Sequence, residues 1–281
     1  MTRYIVKLLI LSILLVGCED VVDVDLQDAP PKLVVEALIN WEKGTTGNEQ
    51  TISLRQTTPF FEQGVVNATG ATVTIAHENG TVFPFAETAP GTYTTDSFIP
   101  EIGTTYTLTI LYQNETFRAI ETMIGVNPIK RVEQRVSILG GEEANEVVFY
   151  YDDPEEEENY YLVNLLPDFQ ERKSFDFYPD TFINGNEIED FYSSDYEDPE
   201  SEDEIREYRT GDVFDIQLFG ISERFYNYFS IIVEQANAES GPFSIAPATA
   251  KGNCVNVTNP DNFPFGYFRL SELDRRTYTY E

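Results

Sequence analysis

Tyr106-Thr107-Leu108-Thr109-Ile110 carries an apolar side chain at every second position, and Thr72-Val73-Thr74-Ile75 carries the same pattern earlier in the chain. A strand turns successive side chains to opposite faces, so this alternation predicts β-strands with one face in a core and the other toward water. Candidate strands of this kind cover residues 33–39, 51–55, 71–76, 81–85, 92–95, 104–111 and 115–121. Asn79-Gly80 is a hairpin signal, and Pro90-Gly91 and Gln113-Asn114 fall where turns are wanted. Short strands with such punctuation predict an immunoglobulin-like β-sandwich over residues 33–126.

Pro128 marks a boundary, and the remainder, 127–281, reads as a second β-rich domain. Its candidate strands are residues 129–138, 147–151, 160–166 and 213–219. One prominent α-helix is expected over about 223–238, with Ser222 as N-cap, Glu223 in the first turn and Gly241-Pro242 beyond its end. Phe225, Phe229, Ile232 and Val233 share one helical face, the spacing of a stripe that packs on a sheet. The fold class expected is therefore mainly β.

Composition narrows the function. The chain has 281 residues, 41% of them apolar, with 17 Tyr and 20 Phe, enough for a sizeable core. Its 18 Lys and Arg stand against 49 Asp and Glu, a formal net charge of −31. Binding to a phosphate backbone needs clustered cations, so no nucleic-acid partner is expected. One His and two Cys leave little for a His/Cys metal site or a His-dependent triad. Neither Gly-x-Ser-x-Gly nor His-Glu-x-x-His occurs, and no carboxylate pair stands out among so many acids. A non-catalytic protein is expected.

The N-terminus reads as an address. Arg3 and Lys7 precede a short apolar run over residues 8–16, which is too short for a mature membrane span. Leu15-Val16-Gly17-Cys18 then looks like a bacterial lipobox, which makes residues 1–17 a lipoprotein signal peptide and Cys18 the lipidated residue. Acyl chains on Cys18 would anchor the chain to a membrane surface. Glu19, Asp20, Asp23, Asp25 and Asp28 lead to Pro30-Pro31, so residues 18–32 read as an acidic, self-repelling tether.

Acids crowd the middle of the chain. Roughly half of them lie between Glu142 and Glu207, with only Arg172, Lys173 and Arg206 to balance them. Burying unpaired carboxylates is costly, so residues 152–204 are expected to form exposed loops between strands. The run holding Asp195, Glu197 and Asp198 offers the oxygen ligands that Ca²⁺ favours, but it lacks the Gly and the regular spacing of an EF-hand loop. A solvated acidic loop is the competing possibility. Tyr160-Tyr161 and Phe191-Tyr192 suit stacking on a sugar or a protein interface. His77, beside Asn79-Gly80, is expected in a surface turn, and Cys254 is expected to be a small apolar residue or idle thiol.

The lipobox, the acidic tether, Lys32-Leu33-Val34-Val35-Glu36, Gly91-Thr92-Tyr93, Gly103-Thr104-Thr105-Tyr106 and a late block from Tyr226 through Gly266-Tyr267-Phe268 together carry a resemblance. The chain resembles the Bacteroidota outer-membrane lipoproteins catalogued as domain of unknown function 4249 (DUF4249). It departs from their pattern at Gly252-Asn253-Cys254-Val255, where Cys254 is inserted. The resemblance implies a surface-exposed lipoprotein anchored in the outer membrane through Cys18, accessory to a TonB-dependent receptor in nutrient uptake. A binding protein for an extracellular glycan, peptide or metal complex is the alternative, as is a structural role in an outer-membrane assembly or export complex.

Overall fold

The computed structural model describes residues 30–59, 64–139, 142–155, 158–169, 174–181, 184–194, 207–237 and 249–281. Its alternating stretches are strands. The first sandwich is built from β1 (Leu33–Glu42), β2 (Gln50–Gln56), β3 (Val66–Asn67), β4 (Thr72–His77), β5 (Val82–Ala89), β6 (Thr92–Thr95), β7 (Thr105–Tyr112) and β8 (Glu115–Thr122). Val73, Ile75, Tyr106, Leu108 and Ile110 are fully buried, while the threonines between them lie nearer the surface. Gln113 and Asn114 join β7 to β8 with φ of 49° and 64°, the left-handed pair that matches the twist of a tight hairpin. β5 pairs with β6 on one side and with β4 on the other, which carries the chain from one layer to the next.

The second sandwich follows. Its strands are β9 (Ile129–Leu139), β10 (Glu142–Asp152), β11 (Tyr160–Pro167), β12 (Ser174–Pro179), β13 (Glu187–Ser193) and β14 (Val213–Ile221), and then come α1 (Glu223–Ala236), β15 (Val255–Asn256) and β16 (Phe265–Thr279). The sheet β13-β10-β9 packs on β12-β11-β14-β16 through Val147, Phe149, Val163, Phe214, Ile216 and Leu218. The fold is mainly β, as expected, and α1 is the one helix among the described residues. None of the described helical residues forms a segment long and apolar enough to cross a membrane.

β16 serves both sandwiches. From Val34↔Phe265 to Glu42↔Leu273 it runs parallel to β1, and from Leu273 to Thr279 it runs antiparallel to β14. Phe268 and Leu270 therefore sit in the first core, with Cys254, so that core draws on residues from both sides of position 126. β16 also holds the connection between the sandwiches. Glu272 Oε2 accepts from the Val126 N–H at 3.0 Å and pairs with Lys43 at 2.6 Å, and Asp274 Oδ2 accepts from the Ile129 N–H at 2.9 Å. Both acids are buried, and each accepts from a backbone N–H at the junction between the sandwiches.

The acidic middle departs from expectation. β11 falls where a strand is expected, but β12 and β13 also run through residues 152–204, and Asp153, Asp180 and Ile188 are buried. The cations that pair the glutamates of β13 come from β9, outside the acidic stretch. Lys130 and Arg131 reach Glu187 at 2.8 and 2.9 Å, and Arg135 reaches Glu189 and Glu146 at 2.7 Å each. With Glu187 and Glu189 paired, β13 can turn Ile188 into the core.

Candidate functional site

α1 starts where the Ser222 hydroxyl accepts from the Phe225 N–H at 3.2 Å, satisfying a donor that the first helical turn leaves free. The helix lies on the outer face of the sheet, and its aromatic stripe is its packing face. Phe225 and Tyr228 meet Tyr267 of β16 at ring distances of 5.1 and 4.9 Å. On the other flank Phe229 meets Phe177 at 5.0 Å and Phe175 at 5.4 Å, and Tyr226 meets Tyr160 at 5.2 Å. Phe175, on edge strand β12, leaves 46% of its surface in water.

Beneath the helix sits Arg269. Its guanidinium lies 5.0 Å from the rings of both Phe219 and Phe225 and donates to Asn40 Oδ1 at 2.6 Å. Burial pushes it down to about 10. The faces of the two rings take the place of a carboxylate, since no ion pair to Arg269 occurs among the described residues.

A groove of about 500 Å³ opens between the C-terminal half of α1 and the first residues of β1 and β16. Val34, Tyr228, Ile232 and Phe265 give it apolar walls, and Glu36 and Gln235 add polar groups. Glycine lets its floor close up. Gly266 has φ of +89°, and a Cβ there would stand 2.0 Å from the Val35 carbonyl oxygen. A Cβ on Gly252 would stand 1.5 Å from the Gly266 oxygen. Lys32 and Lys251 lie over the Phe263 ring at 3.7 and 4.2 Å. The groove can hold an amphipathic segment or a small ring by contact; its one carboxylate, Glu36, pairs with Arg55 at 3.4 Å.

A second polar cluster lies inside the second sandwich. Tyr178 donates to Asp190 Oδ2 at 2.7 Å, and its hydroxyl also lies 2.9 Å from that of Tyr151. Burial pushes Asp190 up to about 6. Burial, and then the Asp190 charge, hold the Tyr178 phenol far above its ordinary range, so it donates and does not ionise. Among the described residues, no group of three or more His, Cys, Asp or Glu side chains is placed to hold a metal.

The residues singled out from the sequence scatter. Leu15, Val16, Gly17 and Cys18, with the rest of the signal segment and nearly all of the tether, lie outside the described residues, as do Asp195, Glu197 and Asp198. Tyr160 stands beside α1, but Tyr161 is buried and donates to Asp153. Phe191 is exposed near Arg135, whereas Tyr192 packs on Phe149. His77 serves its turn: Nδ1 accepts from the Asn79 N–H at 3.0 Å, and Nε2 lies 3.2 Å from Glu101. Cys254 is buried in the first core, and burial pushes its thiol up to about 12. Sequence reasoning missed Arg269, the groove and Asp190. The Gly252-Asn253 and Gly266 glycines were the signal available for the groove, because a residue without Cβ permits close backbone approach.

The family model described as Domain of unknown function (DUF4249) matches residues 19–277. No curated protein matches the sequence. Among solved structures, the chain is similar to a segment of two fibronectin type-III domains from chicken tenascin at 12% identity, covering 68% of this chain and 90% of that one, with a TM-score of 0.21. It is similar to a cytokine receptor complex at 10% identity, covering 68% and 86%, with a TM-score of 0.27. A DUF3823 family protein from Parabacteroides merdae ATCC 43184 matches at 12% identity over 69% and 92%, with a TM-score of 0.18.

Proposed function

We propose, on the premise that the chain belongs to the DUF4249 family, that it is a non-catalytic lipoprotein of the outer-membrane surface, accessory to a TonB-dependent receptor in nutrient uptake. The observation that carries this is Leu15-Val16-Gly17-Cys18 followed at once by Glu19 and Asp20. A thiol at that place after a short apolar run is a site for acylation, and acyl chains hold a protein on a bilayer. The acidic stretch after Cys18 resembles the export signal of Bacteroidota surface lipoproteins, and the receptor partnership follows from the family resemblance. The groove beside α1 and the exposed ring of Phe175 offer contact surface to such a partner.

Two measurements test this. The Cys18→Ala chain is expected to lose its acyl groups and leave the outer-membrane fraction; retention in that fraction would refute anchoring. Affinity capture of the native lipoprotein from detergent-solubilised outer membranes is expected to recover a TonB-dependent receptor. Capture of an extracellular glycan or peptide without any receptor would favour a direct binding role, for which the groove walls Tyr228 and Phe265 are the supporting feature.

A further inference from the structure

At one end of the second sandwich four chain segments converge. β10 runs out into Asp153, β11 begins after Asn159, β12 ends before Asp180, and β13 begins after Gly185-Asn186. Two backbone bonds lock them: Asp153 N–H to the Asn186 oxygen and Asp180 N–H to the Asn159 oxygen, each at 3.0 Å. The arrangement buries two carboxyl groups side by side. Asp153 is 5% exposed and Asp180 is 0% exposed, and their side chains lie within hydrogen-bond reach of each other.

Neutral donors serve three of the four oxygens. Asp153 Oδ1 accepts from the Tyr161 hydroxyl and Oδ2 from the Gly185 N–H at 2.9 Å. Asp180 Oδ2 accepts from the Asn159 N–H at 2.8 Å, with the Asn159 amide at 3.5 Å. Asp180 Oδ1 is buried and accepts from nothing among the described residues. Neither carboxyl group has an ion-pair partner there, while Asp152, Glu155 and Glu158 at the rim are exposed acids. The other titratable groups felt here are the phenols of Tyr151, Tyr160 and Tyr161, which burial keeps protonated.

We propose that Asp153 and Asp180 form the floor of a binding site for one hard divalent cation, Ca²⁺, at this end of the second sandwich. Two adjacent buried carboxylates with a free oxygen need a positive charge between them, and a set of oxygen donors alone selects a hard cation. Ca²⁺ tolerates irregular geometry and completes its shell with peptide oxygens and water, so two carboxylates are a workable anchor where Mg²⁺ would demand a strict octahedron. Without the metal, burial raises the Asp153 carboxyl above its ordinary range. Metal binding needs both carboxylates ionised and so strengthens as pH rises.

The test uses the full chain in detergent. Tb³⁺ is added first, because Tyr161, bonded to Asp153, can pass excitation to a lanthanide at the site. Saturable, tyrosine-sensitised emission that Ca²⁺ displaces is expected, together with a rise in Tm with CaCl₂ beyond that with NaCl of equal ionic strength. Asp180→Asn is expected to weaken Ca²⁺ binding about tenfold or more, while Asp261→Asn, at an exposed distant position, leaves it unchanged. If Asp180→Asn fails to fold, Asp153→Asn decides: its Ca²⁺ affinity and its Ca²⁺-dependent rise in Tm should fall in the same way. Equal Ca²⁺ affinity in Asp180→Asn, or in Asp153→Asn should that variant be the one that folds, would overturn the site. So would a wild-type Tm indifferent to Ca²⁺ that rises as pH falls and loses this response in Asp180→Asn; the pair would then hold a proton.

Discussion

The side chain of Asn253 brackets the peptide groups of Phe268: its Oδ1 accepts from the Phe268 N–H at 2.9 Å, and its Nδ2 donates to the Phe268 carbonyl at 2.7 Å. β14 joins β16 only from Leu273 onward, so over Phe268 one edge of β16 has no neighbouring strand among the described residues. One amide stands in for it. Asn253→Ala should leave both groups unpaired and cost about 1–3 kcal/mol in denaturant unfolding. Gly252→Ala should be worse, because its Cβ would stand 1.5 Å from the Gly266 oxygen. A Gly252→Ala chain as stable as wild type would contradict this packing.

Because β16 lies in both cores, the two sandwiches should unfold together. Leu270, in the first core, and Leu218, in the second, are both 0% exposed. Truncating either to Ala should cost about 2–5 kcal/mol. Calorimetry should show each variant shifting the same single transition. Two resolved transitions, with Leu218→Ala moving only one, would count against the shared strand.

Glu187 and Asp190 lie on one strand and titrate in opposite senses. Burial pushes Asp190 up to about 6, so its stabilising contribution is complete below its ordinary value of 3.8 and is lost as pH rises through about 6. Arg131, then Lys130, hold Glu187 down to about 2, so its contribution is present above its ordinary 4.5 and is lost as pH falls through about 2. Urea midpoints measured from about pH 2 to pH 7 should show both windows. Asp190→Asn should flatten the loss on the neutral side, and Glu187→Gln should flatten it on the acid side. A neutral-side slope unchanged by Asp190→Asn would show that another group titrates there.

Cys254 should be inert. With its thiol pushed up to about 12 by burial, little thiolate forms at neutral pH. In the Cys18→Ala chain it is the remaining cysteine. A thiol reagent should label it at the rate of unfolding and fully in denaturant; rapid labelling of the folded chain would refute its burial.

How much of this was legible follows from which forces are local. The strands over Thr72–His77 and Thr105–Tyr112 could be read because one face is buried and the other is wetter, leaving a period of two in the residue types. The helix could be read from its Ser222 cap and aromatic spacing. β13 escaped notice because Glu187, Glu189 and Asp190 look like a loop until β9 supplies basic side chains to the two glutamates and Tyr178 a hydroxyl to Asp190. β16 escaped because both of its faces are covered: Phe268 and Leu270 by the first core, Tyr267 and Arg269 by α1. A strand buried on both faces has no alternation to display. By itself, then, the sequence determined the β character of the chain, the turns of the first sandwich and the position of the helix. Tertiary structure alone decided that Val35 lies beside Gly266, that Arg269 is sandwiched between two rings and that Asp153 meets Asp180. Periodicity records which face of a segment is buried, and only the folded chain selects the distant segment that buries it.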